Sequence, residues 1–292
     1  MIQLACNAMM RDPEDRQLWL PIEMLIHQVY ELGFEAIDFQ LDRGFASTDS
    51  GYLKGIRQHC EDLGLAIGVL GIGAGFVGRG TNADGDPVGE PLPKDERARR
   101  IQEAKDAIDA AAILHAPMIR MFGGGIPPAS ENREDLWREK IEAFREICDH
   151  AGSVGVQVGL HNHPPAIAPT GNDILQIIAD VDHDDLTHIL DTGQWYGFPA
   201  TVDGYHFMEQ TIVHATYVRA KIYKIDSGIE QWLDYSRIAK IILDAGYDGI
   251  ISLVFEDRNN ACDYCECWRL GAAHLRACFS LIHQHPDPEG TP

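Results

Sequence analysis

The sequence predicts a single (β/α)8 TIM barrel. Three observations lead to this fold class: short apolar segments with strand character, helical patterns between them, and a length of 292 residues. Regular alternation of strand and helix favours parallel strands joined by right-handed crossovers. Eight such units in a chain of this length are typical of a closed barrel. A doubly wound open sheet is the alternative, but no Gly-x-Gly-x-x-Gly stands at an early strand-to-helix turn to support it.

Eight apolar runs end in turn or polar residues and are predicted as strands. They are Gln3–Asn7, Ala36–Gln40, Ala66–Leu70, Met118–Phe122, Gln157–His161, Thr187–Asp191, Tyr217–Ile222 and Ile250–Phe255. The glycine-rich segment Gly71–Gly80 follows the third strand and lacks the Lys-Ser/Thr of a phosphate-binding loop. We therefore expect a flexible connection there.

Amphipathic patterns between these strands predict helices. The clearest are Leu20–Gly33, Glu96–His115, Arg133–Gly155, Asp234–Gly249 and a final helix at about Cys262–His283. Glycine at the end of the first of these and aspartate at the start of the fourth are typical helix boundaries. We expect one domain over residues 1–285 and a flexible tail over 286–292.

Composition narrows the class of partner. The net charge is −21, which opposes binding to the phosphates of nucleic acid and favours a small-molecule partner. No apolar run is long enough to cross a membrane. The first residues lack the basic start and apolar segment of a signal peptide, so we expect none. The seven cysteines are an odd, dispersed set, which indicates reduced thiols and a cytoplasmic protein. Cys262, Cys265 and Cys267 lack a paired second zinc knuckle, so we expect them to pack at the start of the last helix.

Polar side chains gather at the predicted strand ends. In a barrel the catalytic residues lie at the C-terminal ends of the strands, so this distribution predicts a site at that mouth. The candidates are Asn7, Asp38, Gln40, Arg120, Phe122, His161, His163, Asp191, Gln194, Arg219, Lys221, Glu256 and Asp257.

Four segments resemble the last four units of the xylose isomerase-like barrel superfamily. They are "LHNHPP" with the "TG" that follows, "HILDTGQWYG", "YVRAKIYKIDSG" and "WLDYSRIAKIILDAGYDGIISLVFE". That superfamily contains sugar-phosphate isomerases and epimerases, ketose 3-epimerases, inosose dehydratases and endonuclease IV. The resemblance implies an enzyme acting on a sugar, keto-sugar or cyclitol, phosphorylated or not, and a homo-oligomer. It implies no nucleotide cofactor.

The resemblance leaves several reactions open. Isomerisation or epimerisation through an enediolate is the leading hypothesis, and a lyase or dehydratase working through the same enolate is the nearest alternative. A non-catalytic sugar-binding barrel is a third hypothesis. A nuclease is disfavoured by the net charge and by the lack of that enzyme's dense His/Glu metal cluster.

The resemblance also implies a metal site with one ligand from each of strands five to eight: Glu, Asp, His and Glu. In this chain the four positions hold His161, Asp191, Arg219 and Val254, and Glu256 follows two residues later. One interpretation is a rebuilt site in which His161, Asp191 and Glu256 hold Mn²⁺, Mg²⁺, Zn²⁺ or iron. The other is that the metal is lost and that Arg219 and Lys221 hold an oxyanion, carboxylate or phosphate instead. An arginine on a ligand position favours the second, because it repels a divalent cation.

Roles follow from these hypotheses. Glu256 is the expected general base, with a pKa raised towards neutrality, and His163 is a second group that could move the proton. Arg219 and Lys221 would stabilise the oxyanion. The expected substrate-binding residues are Asp38, Gln40, Arg120 beside Gly123–Gly125, Phe122, Gln194 at the family's frequent histidine position, and Trp195 with Tyr196.

Overall fold

Eight parallel strands close into a barrel in the computed structural model of this chain. The structure describes residues 2–15, 17–72, 80–81, 87–88, 92–122, 133–163, 170–195, 198–199 and 203–282. Around the barrel each strand pairs with its neighbours in sequence, and the first strand closes against the last. The predicted fold class, a (β/α)8 TIM barrel, is confirmed.

The strands lie where the apolar runs predicted them, with ends that shift by one or two residues. They are β1 Gln3–Asn7, β2 Ala36–Gln40, β3 Ala66–Gly71, β4 Met118–Met121, β5 Gln157–His161, β6 Leu186–Asp191, β7 Ala215–Ile222 and β8 Ile250–Phe255. Phe122, predicted as the last residue of the fourth strand, lies one residue beyond the end of β4.

Helices alternate with these strands. They are α1 Ile22–Glu31, α2 Ser50–Asp62, α3 Lys94–Leu114, α4 Arg133–Val154, α5 Gly171–Val181, α6 Gly204–Thr211, α7 Tyr235–Asp244 and α8 Tyr264–Ile282. Their ends follow local chemistry. Gly33 has a φ of 72° just after α1, a conformation that glycine adopts without strain. Thr170 and Asp173 form a capping box that starts α5, and Asp234 accepts two backbone N–H bonds to start α7.

Two apolar regions stabilise the barrel. The larger packs the outer faces of the strands against the helices, as with Ile37 and Ile26. The smaller fills the lower half of the barrel interior with Val69, Met118, Ile189 and Tyr217. Above this floor the inward positions become polar, because side chains two residues apart on a strand point to the same face. The floor therefore carries the mouth in which the candidate site lies.

One local expectation is not tested and one needs correction. Gly80–Thr81 pairs antiparallel with Pro87–Val88, and residues 73–79, on which most of the expected flexible connection falls, lie outside the described residues. The expectation that every cysteine is reduced is wrong for Cys262 and Cys267, which form a disulfide. Their Cα atoms lie 6.2 Å apart where the chain turns into α8, which is within disulfide reach.

Of the described helices, none is both long and apolar enough to cross a membrane. The predicted tail, 286–292, lies outside the described residues.

Candidate active site

The strand ends surround a cavity of about 110 Å³ at the C-terminal mouth of the barrel. Its wall is formed by Asn7, Met9, Gln40, Asp42, Arg43, Arg120, Phe122, His161, His163, Arg219, Lys221, Val254 and Glu256. Most of the residues predicted from the strand-end rule therefore meet at one cavity. Asp38, Asp191, Gln194, Asp257 and Trp195, which were also predicted, do not line it.

Asp191, at the end of β6, is the fixed anion beneath the cavity. Its carboxylate is fully buried, and Oδ1 accepts hydrogen bonds from the backbone N–H groups of Gly193 and Gln194 at 2.9 and 3.1 Å. Oδ2 lies 2.9 Å from Nε2 of His161. The Asn162 side chain bonds both the backbone N–H and the carbonyl of Asp191, at 2.8 and 2.9 Å. Both carboxylate oxygens and the backbone are thus held in place.

Lys221 joins this carboxylate to Glu256. Its Nζ lies 3.5 Å from Asp191 Oδ2 and donates a hydrogen bond to Glu256 Oε1. Gln194 Nε2 donates to the same Glu256 oxygen at 3.3 Å. The register places Lys221 beside Val254 on the neighbouring strand, so it reaches Glu256 just above. One ammonium therefore bridges two carboxylates at the cavity wall.

The pKa of Glu256 is lower than expected from the sequence. Burial alone would raise the pKa of this carboxyl. The charge of Lys221 and its hydrogen bond lower the pKa by more than burial raises it, so the net shift is downward. The expectation of a pKa near neutrality is therefore wrong. Glu256 is ionised at neutral pH and can accept a proton without first losing one.

Arg219 lies between the cavity and the barrel floor. Its Nη1 is 3.6 Å from Asp38 Oδ2 and its Nε is 4.0 Å from Asp191 Oδ2. Asp38 is fully buried, and its Oδ1 accepts hydrogen bonds from the Tyr217 hydroxyl and, at 3.1 Å, from the Val69 N–H. Burial raises the pKa of Asp38 against the opposing effect of Arg219. Asp38 thus supports Arg219 from below and does not face a substrate.

Arg120 belongs to a second polar group on the opposite wall. Its Nη2 donates to Gln40 Oε1 at 2.6 Å, and its guanidinium lies 4.2 Å from the centre of the Phe122 ring. Gln40 in turn lies within 3.4 Å of Asn7. Gly71 leaves the space that Gln40 occupies, since a Cβ there would overlap the Gln40 amide. The amide and the ring fix the plane of the guanidinium.

His161 and His163 both pack against the aromatic ring of Phe122. Phe122 lies 5.3 Å from His161 and 4.8 Å from His163, measured between ring centres. Burial and then the charge of Arg219 lower the pKa of His161 far below its usual value. Burial and then Lys221 lower the pKa of His163 to about 4. Both imidazoles are therefore neutral at neutral pH, and the carboxylate of Asp191 selects the His161 tautomer with its proton on Nε2.

Comparison with known proteins identifies the family. A family model, Xylose isomerase-like TIM barrel, matches residues 26–278. The chain belongs to that family. No curated protein matches it.

Solved structures share the fold of this xylose isomerase-like protein at low identity. An L-ribulose 3-epimerase is 18% identical, with a TM-score of 0.72 and all of both chains covered. A D-tagatose 3-epimerase-like protein is 16% identical, with a TM-score of 0.73 and coverage of 97% of this chain and 98% of that one. A 3-keto-D-glucoside 4-epimerase from E. coli is 15% identical, with a TM-score of 0.69 and coverage of 95% and 100%.

The residues present do not fit the divalent metal that the family resemblance implies. The Lys221 ammonium stands between Asp191 and Glu256, where a shared cation would have to lie. His161 directs Nε2 at Asp191 and not at a common centre. In the described part of the chain no group of three or more His, Cys, Asp or Glu side chains is arranged to hold a metal ion. The geometry thus supports the second interpretation, in which protein cations take the place of the metal.

Some residues were misplaced or missed by sequence reasoning. Trp195 is buried against Phe207 and His188, away from the cavity. Arg43 lines the cavity although it was not predicted; its position three residues after the end of β2 was the available signal. Two other predicted features, Gly123–Gly125 and Tyr196, lie outside the described residues.

Proposed function

We propose that this xylose isomerase-like protein is a sugar isomerase or epimerase that moves a proton next to a carbonyl through an enediolate, using protein cations in place of a metal. The observation that carries the proposal is the Lys221 ammonium held between Asp191 and Glu256 at the cavity wall. It combines a fixed positive charge with an ionised carboxylate, which are the two groups that enolisation requires. The epimerases among the structural neighbours support the same reaction class.

Glu256 is the proposed base. Its carboxylate takes the proton from the carbon beside the carbonyl, and the electron pair left behind forms the carbon–carbon double bond of the enediolate. The carbonyl electrons move to the oxygen, which gains a negative charge. An ammonium has three N–H bonds, so Lys221 can hold Asp191 and Glu256 and still donate to this oxygen. Arg219, whose Nε lies 4.0 Å from Asp191 Oδ2, adds a second positive charge that would stabilise the enediolate oxygen in place of a metal ion.

His163 is the proposed second proton carrier. It lines the same cavity as Glu256, and its imidazole is neutral at neutral pH. We propose that it relays a proton: one nitrogen accepts a proton from solvent as the other passes its N–H proton to the enediolate carbon, so the ring ends neutral. Glu256 then releases the proton it took to solvent. Return of a proton to the original carbon from the other face inverts that centre. Return to the former carbonyl carbon moves the carbonyl instead, provided that the neighbouring hydroxyl loses its proton to become the new carbonyl and the former carbonyl oxygen gains one. Two proton carriers on one cavity therefore serve epimerisation and isomerisation alike.

Exchange of carbon-bound hydrogen with solvent tests the proposal. L-ribulose, D-tagatose, D-psicose, their phosphates and a uronate are incubated with the protein in D₂O, and deuterium incorporation beside the carbonyl is followed by NMR. We expect exchange with at least one of them, and a decrease of about 100-fold or more in Glu256→Gln, because that variant loses the base. Glu31→Gln is the matched control, since Glu31 is exposed at the end of α1, on the opposite side of the barrel.

Two results would contradict the proposal. One is the absence of exchange across the whole panel, and the other is equal exchange by wild type and Glu256→Gln. Release of water with formation of an enone would instead assign a dehydratase at the same site.

A further inference from the structure

Arg120 is a buried cation without a counter-ion. It is 4% exposed, yet no carboxylate of the described residues lies within ion-pair distance, and its nearest polar contact is the uncharged amide of Gln40. Its Nε and Nη1 have no hydrogen-bond partner among the described residues. Burying a charge costs free energy unless the charge is paired. A guanidinium held in this way would therefore be stabilised by binding an anion.

Arg219 and Lys221, unlike Arg120, each lie within ion-pair distance of two carboxylates. Arg219 lies near Asp38 and Asp191, and Lys221 contacts Asp191 and Glu256. Asp191 is shared, so three carboxylates serve these two cations, and none of the three lies within ion-pair distance of Arg120. The chain as a whole carries a charge of −21, so this positive spot is a local feature and not part of a generally basic surface.

Arg43 adds a second positive charge at the rim of the same cavity. Its guanidinium contacts the sulfur of Met9 and lies 4.8 Å from the ring of Trp19, whose other neighbour is Arg11. Its exposed partner, Asp42, is 3.8 Å away. The charges of Arg219 and Arg43, after burial, lower the pKa of Arg120 to about 9, which still leaves it charged at neutral pH. The two arginines repel each other across the cavity, and an anion between them would relieve that repulsion.

We propose that the substrate carries an anionic group, a carboxylate or a phosphate, which Arg120 binds at the mouth with Arg43 at the rim. The inference rests on the proposed function and specifies its substrate class: a sugar acid or a sugar phosphate. Arginine suits this task because its planar N–H donors match two oxygens of either anion. The reacting carbon then faces Glu256 and Lys221 on the other wall, while the anion stays on the Arg120 side.

Binding measurements test the proposal without relying on turnover. Calorimetry at low ionic strength compares D-tagatose, D-tagatose 6-phosphate and D-galacturonate, with inorganic phosphate as a fragment probe. We expect at least one anionic sugar to bind roughly 10- to 100-fold more tightly than the neutral sugar, the effect of a charged hydrogen-bonded pair. Comparison of D-tagatose 6-phosphate with D-galacturonate shows whether the site prefers a phosphate or a carboxylate group.

Variants then locate the effect. Arg120→Gln is expected to abolish the preference for the anionic sugar, and Arg120→Lys to keep part of it. Arg276→Gln is the matched control, because Arg276 contacts the Gly33 carbonyl on the opposite end of the barrel. Arg43→Gln, at the partly exposed rim, is expected to weaken anion binding several-fold and decides the matter if Arg120→Gln fails to fold.

The outcomes separate this inference from the proposed function. Equal binding of neutral and anionic sugars, or an anion preference that survives both Arg120→Gln and Arg43→Gln, would overturn it even if exchange beside the carbonyl occurs. An Arg120-dependent preference for an anionic sugar that shows no exchange would support this site while removing the proposed reaction.

Discussion

The lower and upper halves of the barrel interior use the same strands for opposite purposes. Below, Val69, Met118 and Ile189 pack without polar atoms. One inward position higher, Arg120 stands above Met118 and Arg219 above Tyr217, with buried nitrogen atoms that have no hydrogen-bond partner among the described residues. The floor gains stability from burial, whereas the mouth gives up stability to hold charges. A step of two residues along a strand thus separates packing from chemistry.

The largest expected effect comes from removing the bridging cation. Lys221→Met leaves Asp191 and Glu256 facing each other and takes away the donor to the enediolate oxygen. We expect the exchange rate to fall about 100- to 1,000-fold, as for the loss of one oxyanion donor. Lys240→Met is the control, since Lys240 pairs with Asp244 on the exposed face of α7. An exchange rate within threefold of wild type would break the assigned role of Lys221.

The boundary between the two halves is tested by Tyr217→Phe. The Tyr217 hydroxyl donates to Asp38, and Asp38 supports Arg219. Loss of the hydroxyl removes one of the Asp38 hydrogen bonds in a fully buried place, so we expect a loss of about 1–3 kcal/mol in the free energy of unfolding. Chemical denaturation measures it, with the half-exposed Tyr30→Phe as control. A free energy of unfolding equal to that of the wild type would show that the hydrogen bond from Tyr217 does not stabilise Asp38.

A change wholly within the floor has a smaller effect and should spare the reaction. Ile189→Val removes one methyl group from the apolar cluster, and we expect a loss of about 0.5–1.5 kcal/mol. The exchange rate per folded molecule should stay within twofold of wild type, because Ile189 lies below Asp191 and does not line the cavity. A large decrease in rate with unchanged stability would contradict the division of the interior into floor and mouth.

The sequence could predict positions better than interactions. Strand periodicity and the strand-end rule located Gln40, Arg120, His161 and Lys221, because those depend on local pattern and on one fact about barrels. The pKa of Glu256 was predicted in the wrong direction, because it depends on how close Lys221 approaches from the neighbouring strand.

Long-range packing explains the other differences. Asp38 has the same strand-end signature as Gln40, yet it contacts Tyr217, which is 179 residues away in sequence. Trp195 stands in the motif that contains Asp191, but its ring packs against Phe207 in the core. In both residues the side chain's partners come from a distant part of the chain, and no local pattern contains that information.

The smallest expected effect concerns metal and gives the sharpest comparison. Because the ammonium of Lys221 already lies between Asp191 and Glu256, Mn²⁺ should leave the melting temperature of the wild type unchanged, and EDTA should leave its exchange rate unchanged. In Lys221→Met the same two carboxylates lose their cation, so Mn²⁺ should raise the melting temperature of that variant by mass action. A response of the wild type to either reagent would instead favour the interpretation in which His161, Asp191 and Glu256 hold a metal ion. A response of the variant alone would show that one lysine side chain separates a metal-dependent mouth from the charged mouth seen here.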